Sequence, residues 1–138
     1  MLRKLSLLAL FMTFLTSSAS AKNLYFDGYT SYNRYGGNIT LSADFVRNTR
    51  NARTGTLKMQ LWATKQKYRG GYINGYVVGE VNLGELYANR YFQNVSRTVY
   101  FRQPPAGYYY MTMILAEYRY NGQYETMDYV NYQRQERF

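Results

Sequence analysis

The chain contains no cysteine and no histidine, and these two absences remove most of the chemistry open to a small protein. Without cysteine there is no disulfide framework, no thiolate zinc site and no point for lipid attachment. Without either residue, the Ser-His-Asp and Cys-His arrangements of nucleophilic catalysis are out of reach. Carboxylates are scarce as well: Asp27, Asp44, Glu80, Glu85, Glu117, Glu125, Asp128 and Glu136 are the only 8. A pair of them brought together across strands is the one catalytic device left, and no position stands out for it. The composition points away from an enzyme and implies no cofactor and no metal. Stability has to come from the apolar core alone.

Long hydrophobic runs are also missing, with one exception. Arg3 and Lys4 precede the apolar segment Leu5 to Leu15, and Ala19-Ser20-Ala21 follows with small residues at alternate positions. This is the layout of a signal peptide, expected to be removed after Ala21. The run is too short to cross a bilayer, which takes about 20 residues. The expected mature chain, 22–138, is one domain without a transmembrane segment, exported to the periplasm or secreted into a matrix.

What remains is basic and rich in tyrosine. The full chain has 17 basic residues; without Arg3 and Lys4 there are 15 against 8 acidic ones, a net charge of +7. Such an excess favours anionic partners: an anionic polysaccharide, extracellular DNA, lipid headgroups or an acidic protein. It also serves simply to keep an exported domain soluble.

Alternation with a period of two, broken by turn residues, runs the length of the mature chain. Leu24 and Phe26 begin a first strand, ended by a turn over Asn33 to Gly37. In NITLSADFVRN, Ile39, Leu41, Ala43 and Phe45 share one face. In TLKMQLWAT, Leu57, Met59, Leu61 and Ala63 point inward and Trp62 outward. Lys65–Tyr76 reads as a long mobile loop or a loose hairpin, 76–83 as a short strand, and Gly84–Asn94 as a crossing connection. Val95, Val99 and Phe101 mark a further strand, closed by Pro104-Pro105-Ala106-Gly107. The strand from Tyr108 to Tyr120 is apolar on both faces, as a covered central strand would be. Asn121-Gly122 then predicts a tight hairpin, a return strand follows over 124–132, and the charged tail 133–138 is expected to fray. The fold class is all-β, an antiparallel immunoglobulin-like β-sandwich of about seven strands. A closed barrel is the alternative. An outer-membrane barrel fits poorly, since Arg134 and Glu136 stand where its last strand would turn apolar residues to lipid.

All 18 tyrosines lie after the leader. Tyrosine fits a pleated surface, and many of these side chains are expected to build the sandwich. Those in loops beside cations suggest a binding surface instead. Two clusters qualify: Tyr29, Tyr32, Arg34 and Tyr35, then Lys65, Lys67, Tyr68, Arg69, Tyr72 and Tyr76. The expected function is non-catalytic binding of a protein or anionic extracellular polymer through these loops. The alternative is a secreted protease inhibitor. In that case the mature terminus Lys22-Asn23-Leu24-Tyr25-Phe26 would enter the cleft of a zinc metalloprotease with its free amine.

Three segments, GGNITLSADFVRN, TGTLKMQLWAT and PPAGYYYMTMILAEY, together with DYVNY, resemble the bacterial extracellular Ig-like modules of the CARDB (cell-adhesion-related) type. The features shared are a Gly-rich turn opening a strand, Asn48 at a strand end and a Pro-Pro-Ala-Gly turn before a tyrosine strand. DYVNY replaces the family's acidic, Asn-rich closing motif, so no ligand role of that motif carries over. The resemblance implies an Ig-like fold and an adhesive or accessory setting outside the cytoplasm, and no catalytic residues.

Overall fold

Two antiparallel sheets face each other in the computed structural model, which describes residues 22–138; the expected signal peptide, 1–21, lies outside the described residues. Strands β1 (Leu24–Tyr35), β2 (Asn38–Asn48) and β5 (Tyr91–Tyr100) form one sheet in the order β1-β2-β5. Strands β3 (Leu57–Thr64), β4 (Tyr76–Gly84), β6 (Tyr108–Tyr120) and β7 (Gln123–Asn131) form the other, in the order β4-β3-β6-β7, and the short β8 (Glu136–Arg137) pairs with the start of β6. No described residue is helical. The fold is the Ig-like sandwich that the alternation predicts. No helix among the described residues is long and apolar enough to cross a membrane.

Register explains the core. Met59, Leu61 and Ala63 of β3 stand opposite Leu115, Met113 and Met111 of β6, all of them buried against Leu24, Ile39, Leu41 and Val46 from the facing sheet. Each such side chain contributes roughly 1.5–3 kcal/mol by leaving water. The other face of β6 has its own cover. Ile114 and Ala116 pack under Tyr68, with Trp62, Ile73, Tyr124 and Tyr129 around them. The residues between β3 and β4 fold back over this sheet to supply Tyr68 and Ile73. Trp62, outward on β3 as expected, covers the sheet there.

Turn chemistry is equally readable. Asn121 and Gly122 adopt φ of 52° and 74°, the left-handed pair that a type I′ hairpin requires. After the Pro-Pro turn, the Tyr109 hydroxyl donates to the Pro105 carbonyl at 2.7 Å, a tyrosine corner of the kind found in Ig-like sandwiches.

Five expectations need correction. The crossing connection ends before Tyr91, not at Asn94, because Tyr91, Phe92 and Gln93 pair with Arg47, Val46 and Phe45. The first strand runs to Tyr35, because Asn33, Arg34 and Tyr35 pair with Thr40, Ile39 and Asn38 and only Gly36-Gly37 turn. Phe45 does not share the face of Ile39. Gly28 (φ 79°) makes a bulge in β1, Asp44 accepts from the Tyr29 amide at 2.9 Å, and beyond this point Val46 and Asn48 face inward. A Cβ on Gly28 would lie 2.6 Å from Asp44 Oδ2, so the bulge needs glycine there. The 65–76 segment is stapled to the sheet by Tyr68, whose hydroxyl donates to the Gly71 carbonyl at 2.6 Å and whose carbonyl accepts from Asn131 at 2.8 Å. The tail is part of the sheet: Gly107 and Phe138 exchange both backbone hydrogen bonds at 2.8 Å, and the Phe138 ring packs on Phe101 and Tyr109.

Tyr32 couples stability to alkaline pH. It packs edge-on against Tyr132 and donates to Glu136 at 2.9 Å. Burial first, then the bond to the Glu136 carboxylate, push its phenol above the usual value, and burial does the same to Tyr132. The folded state therefore favours the protonated phenols. Below about pH 10 both states hold these protons and the stabilisation is complete; above it the unfolded chain releases them first, so stability falls. Urea unfolding across pH 8–11 should show a flat region followed by a decline, and Tyr32→Phe should make the decline shallower. An unaltered decline in that variant would refute the assignment to Tyr32.

Candidate functional site

Cations and carboxylates are sorted along the sandwich. One end carries the β1–β2 turn, the β3–β4 connection, the β5–β6 turn and the C-terminus, as the pairs Asn38↔Tyr100, Thr64↔Tyr110 and Tyr108↔Arg137 require. Arg34, Lys65, Lys67, Arg69, Arg134 and Arg137 gather here, with Arg102 at the margin. Among the described residues none of these seven forms an ion pair. Glu136, which accepts from the Tyr32 hydroxyl, lies among them, and Arg102 at the margin is near enough to Glu80 to favour its ionised form.

Elsewhere, apart from the exposed Arg90 and Arg97, the charges are spent on each other. Lys22 pairs with Asp128, Arg47 with Asp27, Arg50 with Glu117, Arg53 with Glu85, and Arg119 with Glu125. Lys58 and Gln60 bind Glu80 between them; burial opposes ionisation there, but these hydrogen bonds, together with the charges of Lys58 and Arg102, outweigh it and hold the carboxyl below its usual range. Every carboxylate is thus engaged in a structural contact, with Asp44 holding the β1 bulge and Glu136 holding Tyr32. Glu117 and Glu125, cross-strand partners, share Arg119.

At the unpaired end, aromatic rings hold the cations in place without cancelling their charge. The Arg34 guanidinium lies 4.7 Å from the Phe101 ring centre and 5.6 Å from that of Phe138. Lys65 Nζ sits 4.0 Å above Tyr109 and donates to the Tyr108 carbonyl. Arg137 lies over Tyr108 at 5.6 Å. Next to them, the β3–β4 connection wraps around an open cavity of about 340 Å³ lined by Lys65, Lys67, Arg69, Tyr68 and Tyr72, with no carboxylate in its wall.

No family model, curated protein or solved structure matches this chain.

The expected residues therefore divide. Lys65, Lys67, Arg69 and Tyr72 come together at the cavity, and Tyr76 stands close by, its ring against Tyr109. Tyr68 lines the same cavity but is only 6 % exposed, so its ring belongs to the second apolar layer and its role is to hold the wall. From the first cluster, Arg34 points between the sheets and joins the cationic end, while Tyr35, 86 % exposed, stands at its rim. Tyr32 is half-buried against Tyr132. Tyr29, 85 % exposed, sits at the β1 bulge on the outer face of the three-stranded sheet, apart from the rest. Lys22–Phe26 is the start of β1: Leu24 and Phe26 are buried, and the Asn23 carbonyl accepts from Thr49 at 2.9 Å. Only Lys22 and Asn23 precede the sheet. Sequence reading missed Arg102, Arg134 and Arg137. The charge of the tail was its only signal, because pairing with β6 is what carries the tail back to this end.

Proposed function

We propose that this chain is an exported, non-catalytic Ig-like module, of the CARDB adhesive or accessory kind, that engages an anionic extracellular polymer or protein through its cationic end. One observation carries this reading: seven of the nine cations without ion-pair partners among the described residues, all but Arg90 and Arg97, collect at one end, over aromatic rings and around an open cavity, while the six paired ones lie elsewhere. A charge that served solubility alone has no reason to segregate in this way. All eight carboxylates have structural partners, which supports binding over catalysis. The inhibitory alternative would have to work through Lys22 and Asn23 alone, since the core holds Leu24 and Phe26.

Salt dependence tests the reading. The mature chain should bind a polyanion such as dextran sulfate, with log affinity falling linearly in log salt. If four cations are neutralised, affinity drops about 50- to 150-fold between about 50 and 200 mM salt. Binding that is strong but indifferent to salt would sink the electrostatic account.

A further inference from the structure

Beside the cationic cavity lies a second, larger concavity of about 790 Å³ on the outer face of the four-stranded sheet, between the β3–β4 connection and the β6–β7 hairpin. Trp62 and Tyr124, partly exposed, line it together with Tyr72 and Tyr120, 91 % and 65 % exposed, while Arg119 and Glu125 supply polar groups. Tyr72 and Ile73 line both concavities. The Tyr72 ring thus borders both, and the two concavities adjoin along it.

We infer that this groove is a sugar-binding subsite and that the ligand of the cationic end is an acidic polysaccharide. The inference rests on the proposed polyanion reading and names its chemical class. Three features select a glycan. A pyranose ring turns a face of C–H groups outward, which packs on the electron-rich faces of Tyr72 and Tyr120. Its hydroxyls both donate and accept, so they match a groove that offers a carboxylate acceptor, Glu125, beside a guanidinium donor, Arg119. These two groups are already aligned, with Arg119 Nε donating to Glu125 at 2.6 Å, so the ligand meets a preorganised pair. A nucleic-acid strand would also stack on the rings and set its phosphates at the same cations, but its backbone offers few hydroxyl donors to the Glu125 carboxylate, whereas every sugar of a glycan carries them. The volume lies in the range, about 300–1,000 Å³, of sites that enclose ligands of several rings. In this arrangement the uronate or sulfate groups sit at Lys65, Lys67 and Arg69, and the neutral faces of the chain lie along Tyr72 toward Trp62 and Tyr120.

Trp62 is the only tryptophan of the chain, so its fluorescence reports directly on the groove. Titrating the mature chain with an oligogalacturonate should change Trp62 emission. Tyr72→Ala should weaken binding about tenfold, and Tyr120→Ala by a similar factor. Tyr29→Ala, an equally exposed tyrosine on the other sheet, should leave binding unchanged. The same oligosaccharide with its carboxyl groups reduced to alcohols should bind weakly, still perturb Trp62 and lose its dependence on salt. Oligogalacturonate binding that leaves Trp62 silent and tolerates Tyr72→Ala would overturn the groove assignment while the polyanion reading stood. Failure of oligogalacturonate, dextran sulfate and oligothymidylate alike would overturn both. Oligothymidylate or oligoglutamate binding as tightly as oligogalacturonate, with the same reliance on Tyr72, would overturn the glycan assignment.

Discussion

Reversing the charge of Lys65, Lys67 and Arg69 together, as K65E/K67E/R69E, should abolish polyanion binding and leave the fold intact. Each charge-assisted hydrogen bond is worth about 1.5–3 kcal/mol. Losing three of them at the lower figure removes about three orders of magnitude of affinity, at roughly 1.4 kcal/mol per decade. Repulsion by the new carboxylates adds to this. All three side chains are exposed on the β3–β4 connection and form no ion pair among the described residues. Lys67 and Arg69 should cost little, but Lys65 also gives up its place over the Tyr109 ring and its bond to the Tyr108 carbonyl, so the stability cost should be about 1–2 kcal/mol. Fluorescence anisotropy with a labelled dextran sulfate reads the first effect and urea unfolding the second. The neutral variant K65Q/K67Q/R69Q should fall between wild type and the reversal. Undiminished affinity in the triple reversal would dismiss the cationic end as the binding site. Arg34 is the wrong choice for this experiment, because its guanidinium packs on Phe101 and Phe138 and its loss would disturb the core as well.

Asn48→Ala should produce the largest loss of stability from a single polar substitution. Asn48 is buried at the end of β2 and ties it to two separate segments at once. Its amide donates to the carbonyls of Ala52 (2.9 Å), Tyr87 (3.0 Å) and Leu86 (3.3 Å), and its Oδ1 accepts from the Arg50 amide at 3.1 Å. Alanine keeps none of these four bonds, each worth about 0.5–1.5 kcal/mol, although the Leu86 and Tyr87 carbonyls retain the Thr54 and Arg90 amides as donors. We expect a loss on the order of 3–4 kcal/mol, part of it recovered where the β2–β3 and β4–β5 connections open to water. At roughly 4 °C per kcal/mol for a domain of this size, the melting temperature should fall by about 12–16 °C. Asn48→Asp is the sharper variant. It retains the shape and the acceptor for Arg50, yet it sets a carboxylate against three carbonyl oxygens and should be no more stable than alanine. An aspartate variant close to wild type would show that the amide donors contribute little.

The same residue marks how far the sequence reads on its own. Asn48 is visible as an asparagine at a strand end, but its partners lie at positions 52, 86 and 87, and only the crossing from β4 to β5 brings the last two beneath it. Local signals were reliable where the physics is local. The Asn121-Gly122 turn, the tyrosine that pins the Pro-Pro corner and the inward rows of β3 and β6 depend on backbone sterics and on period-two burial, both written into neighbouring residues. Phe45 was misplaced because a bulge at Gly28 and Asp44 shifts the facing of β2 halfway along, and alternation cannot register a bulge made by another strand. The tail was misjudged because its anchor, Gly107, is distant in sequence.

For the binding end, composition alone determined that the surplus charge is positive, that tyrosine is abundant and that catalysis by histidine or cysteine is excluded. It could not tell which cations are free. That depends on which carboxylates each cation meets, and such pairs form across strands: Arg50 with Glu117, Lys22 with Asp128, Arg53 with Glu85. Nor could it tell Tyr68 from Tyr72, four residues apart in one loop. The fold buries the first under its own backbone to hold the wall of the site and leaves the second in water, where a ligand can reach it.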